Sequence, residues 1–129
     1  MLMTKSEKEK ARKKRVFENY QKALKLRGQI DFFFKLQGYI PQEIKSNEYT
    51  AIYTIDFKKI YSFKVNTKKG TCKVWLPPDR ELIKFLASRN IHYTIVKDVY
   101  FSLRAIIDNM NDFKAIYMSY KDYIKRCPR

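Results

Sequence analysis

The chain has 129 residues, enough for one compact unit or two small lobes and too few for a multidomain enzyme. Apolar residues make up 45% of it, which argues against wholesale disorder, and aromatic residues make up 16%. Lysine and arginine outnumber acids 28 to 13, and a polyanionic partner would relieve the self-repulsion of the resulting +15 charge.

Residues 5 to 37 read as helix, with Gly28 a candidate break and a start so basic that ordering by a partner is expected there. From Val16 onward, Phe17, Tyr20, Ala23, Leu24, Ile30, Phe33 and Phe34 roughly keep a three-to-four spacing. The run Phe32-Phe33-Phe34 reads as the buried face of a second helix. Gly38 ends that helix, because glycine enters the left-handed region without a Cβ clash. Tyr39 and Ile40 would fold back onto the helix, and Pro41 forbids its continuation.

The alternating runs 49–57 and 59–67 are rich in β-branched and aromatic residues and predict two antiparallel strands joined tightly at Lys58-Lys59. Residues 68–70 form a turn and 71–76 a strand, which Pro77-Pro78 stops. Asp79 caps a helix over 80–90, since its carboxylate accepts the free amides of the first turn. Residues 91–96 read as strand, 100–110 as helix, 113–120 as either, and the tail is basic again. The expected fold is α+β with two small lobes dividing at the polar segment 66–70. Residues 1–66 give helices plus a strand hairpin behind a basic extension. Residues 67–129 give a mostly antiparallel sheet with one or two helices.

Cys72 and Cys127 are too few for a disulfide framework, no CxxC pair suggests zinc, and a reducing compartment is expected. No apolar run approaches the roughly 20 residues of a membrane helix. The start MLMTKSEKEKARKKR lacks the apolar core of a signal peptide, and its glutamates fit a transit peptide poorly. Either the protein works where it is made or a leader has been removed.

Enzyme chemistry is hard to assemble. His92 is the only histidine and lies in a predicted strand, and three scattered glycines make no phosphate-cradling loop. A helix, three strands, a helix and a strand is also the order of the restriction-type nuclease core, which holds magnesium with an Asp and a Glu-x-Lys pair. Asp56 supplies the first carboxylate, but Ser62 stands where the glutamate before Lys64 should be, and a neutral hydroxyl is a poor replacement. No catalytic residue, metal or cofactor is therefore assigned, and a nuclease is kept as the alternative.

The basic sites carry more. Lys58-Lys59, Lys68-Lys69 and the run Lys10, Arg12, Lys13, Lys14, Arg15 are short of neighbouring acids. Together with the basic termini they predict a phosphate-binding surface. Tyr93, Tyr100 and Phe101 have the chemistry either to stack on unpaired bases or to pack in the core. Trp75 is expected in the core or between lobes.

The pieces FKLQGYI, YTIDFKKIYSFKVNTKKGTCKVW and DRELIKFLASRNIHYTIV, in that order and spacing, resemble ribosomal protein S-eight of the small subunit. The likeness covers roughly residues 25 to 120. Gly38-Tyr39-Ile40 matches the family's helix end, Lys68-Lys69-Gly70 its basic turn, and Glu81-Leu82 the start of its later helix. The chain departs from the family's Ser-Thr-Ser-Lys-Gly loop, where it has Ile95-Val96-Lys97-Asp98-Val99. It also has Ser102-Leu103-Arg104-Ala105 in place of Thr-Asp-Arg-Ala, and Lys114 where the family's last strand opens with glutamate. The resemblance implies a non-catalytic, rRNA-binding constituent of the small ribosomal subunit, with small-subunit rRNA and neighbouring ribosomal proteins as partners. No membrane and no small-molecule substrate are implied. The basic ends and the Lys, Tyr, Phe and Ile bias suit a mitochondrial ribosome. Expected RNA contacts are Lys97, Ser102, Arg104 and Lys114 in the second lobe, joined by Lys68, Lys69, Lys10, Arg12, Lys13, Lys14 and Arg15.

Overall fold

A computed structural model describes residues 4–46, 50–58, 61–97 and 101–126. The first helix, α1 (Lys5–Leu36), is a single unbroken element of 32 residues. Thr4 caps it, its hydroxyl accepting from the Glu7 amide at 3.1 Å while the Glu7 carboxylate accepts from the Thr4 amide. Gly28 does not break it: one interior glycine costs about 1 kcal/mol, and the buried Leu26 and Ile30 on either side anchor the turn. Its end follows the sequence. Gly38 takes φ +81°, and the Gly38 and Tyr39 amides donate back to the Lys35 and Phe34 carbonyls at 3.1 Å.

The three phenylalanines do not share one face, because successive helical residues point about 100° apart. Phe34 is 0% exposed, Phe33 packs half-buried beside it, and Phe32 is 64% exposed. Tyr39 folds back and meets the Phe57 ring edge-on at 5.0 Å, whereas Ile40 is 95% exposed.

Among the described residues six strands follow in one antiparallel sheet: β1 (Gln42–Ser46), β2 (Thr50–Lys58), β3 (Tyr61–Lys68), β4 (Thr71–Leu76), β5 (His92–Ile95) and β6 (Leu103–Ile107), in spatial order β1-β2-β3-β4-β6-β5. The edge strand β1, polar and short, was not expected. The β2–β3 hairpin was, although Lys59 of its junction lies outside the described residues. Between β3 and β4, Lys69 and Gly70 both have positive φ, the turn whose twist matches a tight hairpin. That turn is where two lobes were expected to divide, and the sheet runs straight through it, with Asn66 itself inside β3 and paired with Lys73. One core cluster spans both halves, from Leu26 and Phe34 to Tyr117 and Ile124. The protein is α+β.

Helix α2 (Arg80–Ser88) starts at Asp79, whose Oδ2 accepts from the Glu81 and Leu82 amides at 3.1 Å. Residues 103–107, read as helix from sequence, form β6 instead. Leu103, Ala105 and Ile107 are buried and Arg104 and Ile106 are not, a period of two that fits the slot between β4 and β5. The ambiguous stretch 113–120 belongs to α3 (Met110–Arg126). Asn109 starts it, its Oδ1 accepting from the Asp112 amide at 2.8 Å.

Helices α1, α2 and α3 each contribute to the cluster that covers one face of the sheet. Phe34, Phe63, Phe113 and Tyr117 form its aromatic centre, and Tyr120 donates its hydroxyl to the Ser62 carbonyl at 2.6 Å.

Candidate nucleic-acid interface

Three basic regions can be placed. The first is the outer half of α1. The first buried residue on that helix is Ala23, and none of residues 5–19 is buried. Those fifteen residues span roughly 22 Å at 1.5 Å per residue. Residues 5–18 carry seven cations against three acids. Glu7 belongs to the cap and Glu9 pairs with Arg12 at 2.9 Å, one turn away. Lys10, Arg12, Lys13, Lys14 and Arg15 are all exposed on this arm.

The second region is the β3–β4 turn. A Cβ at Gly70 would meet the Asn19 side chain at 3.3 Å, so glycine permits the helix to cross the turn closely. Lys69 lines one surface cleft with Val16, Asn19 and Tyr20. Lys68 and Lys69 are exposed, and the turn sits at the base of the arm. Arm and turn thus form one basic surface, although some fifty residues separate them in sequence.

The third region was missed by sequence reasoning. In an antiparallel sheet, residues directly opposite one another point to the same face. Register therefore sets Thr54, Lys64, Trp75, Arg104 and Thr94 in one row across five strands. Ile52, Asn66, Lys73, Ile106 and His92 form the adjacent row. Their strand neighbours Tyr53, Val65, Val74 and Ala105 are the core, so these two rows occupy the opposite face. Trp75, Ile52 and Ile106 are half-buried and none belongs to the core cluster. The core cluster lies on the other face of these strands, although Thr54 in the first row is only 9% exposed and Phe101 lies against Lys64. Trp75 is thus neither in the core nor between lobes. The Lys64 ammonium lies 5.2 Å from the centroid of the Phe101 ring. The only signal in sequence was the alternation of β4, in which Cys72, Val74 and Leu76 form one apolar set and Lys73 and Trp75 the other.

The remaining expected contacts separate. Arg104 lies on the face opposite the core, half-buried between Trp75 and Thr94. Lys97 is exposed in the β5–β6 connection. Ser102 is only 4% exposed, so its hydroxyl has no surface to offer a nucleic acid. Lys114 is exposed but on α3, in the helical layer rather than with Lys97 and Arg104. Of the candidate stacking residues, Tyr93 packs against the core, Phe101 carries Lys64, and Tyr100 lies outside the described residues.

The rival metal chemistry also has a geometry. Asp56 and Ser62 face each other across β2 and β3, and the Ser62 hydroxyl donates to the Asp56 carboxylate. Among the described residues, no group of three or more His, Cys, Asp or Glu side chains is placed to hold a metal ion. His92 is surface-facing at the sheet edge. Cys72 is a free, fully buried thiol whose pKa burial pushes up, and Cys127 lies outside the described residues.

Neither a protein-family model, nor a curated protein, nor a solved structure matches the chain.

Proposed function

We propose that the protein binds RNA as a non-catalytic scaffold and, following the sequence resemblance, that its RNA is small-subunit rRNA in a mitochondrial ribosome. The observation that carries the RNA-binding part is the helical arm: seven cations on an exposed half-helix, continuous with Lys68 and Lys69 at its base. An isolated helix of this length is marginal in water. Here the buried half of α1 holds the exposed half in line with the core, and a row of fixed cations faces outward. Phosphates suit such a row because each contact releases a condensed counterion, while the rigid sheet behind fixes where the RNA lies.

The ribosomal part rests on the order of motifs between residues 25 and 120. The motifs that carry the resemblance include Gly38-Tyr39-Ile40 and Lys68-Lys69-Gly70. At Lys114 the chain is helical where the family has a strand, and the RNA surface must differ accordingly.

Sedimentation of cell extract tests this reading. The protein is expected to travel with small ribosomal subunits and to leave them as salt is raised. Recovery only in free or DNA-bound fractions would refute it.

A further inference from the structure

We propose that the face of the sheet opposite the core is a platform for single-stranded nucleic acid, on which one unpaired base stacks against Trp75 while the flanking phosphates meet Lys64, Lys73 and Arg104. The inference rests on the RNA-binding reading and adds the form of nucleic acid and the surface that selects it.

The chemistry of the face argues for this occupant. A sheet exposed to water on one side ordinarily carries small polar and charged residues there. This one places its only tryptophan in the middle, on a strand with neighbours on both sides, flanked directly by Lys64 and Arg104. Ile52 and Ile106 add apolar ground in the adjacent row, beside Lys73. The one described acid in these strands that faces the same way is Asp56, and Ser62 already hydrogen-bonds it. Aromatic surface ringed by cations complements a partner that is both anionic and aromatic, which describes a nucleic acid with exposed bases.

Spacing is compatible as well. Lys73 and Trp75 are two residues apart on one strand, about 6.5 Å, and neighbouring strands lie about 4.8 Å apart. A strand laid across the face therefore meets a cation beside each base-sized step. Two buried polar atoms of these rows, Asn66 Oδ1 and Arg104 Nε, have no hydrogen-bond partner, so the layer beneath the surface is not closed on itself. A duplex keeps its base planes inside the stack and would offer this face phosphates alone.

The single tryptophan makes the proposal directly measurable, because Trp75 is the chain's whole indole fluorescence. Titration with a 15-nucleotide oligouridylate should quench that emission, whereas a 15-base-pair RNA duplex should bind without quenching it. Anisotropy of labelled oligouridylate should show Trp75→Ala binding about 5- to 150-fold more weakly, the value of one base stack. Affinity for the duplex should be unchanged, and Trp75→Phe, which keeps a ring, should retain most of the single-strand affinity. Should Trp75→Ala not fold, quenching of the native chain together with Lys73→Gln decides the matter, the latter weakening the single strand more than the duplex. Binding of oligouridylate without quenching, with Trp75→Ala and Lys73→Gln both unaffected, overturns the platform. In that case loss of binding in a Lys13, Lys14, Arg15 triple-alanine variant leaves the scaffold reading standing. Failure of the native chain to bind either RNA at low salt overturns both.

Discussion

Replacing Phe34 and Phe32 separately with alanine tests the core directly, because the two residues are chemically identical and two positions apart. Phe34 is 0% exposed and meets Phe113 at 5.7 Å, Tyr117 at 6.3 Å, Phe63 at 6.4 Å and Tyr53 at 6.5 Å between ring centroids. Those rings come from α1, β2, β3 and α3, so the cavity left by truncation would sit where helices and sheet meet, with little freedom to collapse. Phe→Ala at such a site costs about 3–5 kcal/mol, a large share of the roughly 5–15 kcal/mol that a domain has. With an unfolding entropy of about 2.1 cal/mol/K per residue, the melting temperature should fall by on the order of 10–20 °C. Phe32, mostly in water, should change stability by less than about 0.5 kcal/mol, or roughly 2 °C. Circular dichroism melts of the two variants against the native chain measure the difference. Equal shifts, or a larger one for Phe32→Ala, would refute the placement of α1 on the sheet.

Asp79 couples stability to pH. Burial alone would raise its carboxyl, but hydrogen bonds from Arg126 and from the Leu82 and Glu81 amides outweigh this and hold it below the usual carboxylate range. Its contribution is therefore present above the unfolded pKa of about 3.9 and is lost as pH falls below that. Asp79→Ala should cost about 1 kcal/mol at pH 7 through the lost cap, and urea unfolding should show the gap narrowing progressively below about pH 4. A gap equally wide at pH 7 and pH 3 would contradict it. Cys72, fully buried with its thiol pKa pushed up, should resist alkylation in the native state and react only on unfolding, as mass spectrometry before and after adding denaturant would show. Replacing Lys13, Lys14 and Arg15 together by alanine should flatten the salt dependence of RNA binding by about 2–3 units without shifting the melting temperature, since none of the three is buried. An unchanged slope would remove the arm from the interface.

The sequence by itself determined the features set by near neighbours. Gly38 ends α1 because its left-handed conformation depends on its own lack of a Cβ. Asp79 starts α2 because its carboxylate reaches amides two and three residues on. The strands β2, β3 and β4 were legible because alternation reports a half-buried sheet wherever that sheet lies. The spacing of Phe113, Ile116, Tyr117, Tyr120 and Ile124 also held the helix of α3, though strand and helix both remained open readings of the shorter stretch 113–120. Tertiary structure decided the rest. Residues 103–107 carry apolar side chains compatible with either period, and the open slot between β4 and β5, with backbone partners on both sides, made them a strand. The turn at 68–70 is polar enough to separate two lobes, but direct pairing of β3 with β4 and a shared aromatic core made one body. The candidate stacking platform was the least legible feature of all. Alternation shows that Trp75 and Val74 face opposite ways, but which side the helices cover depends on contacts made far away in sequence, by Phe34, Leu82 and Tyr117.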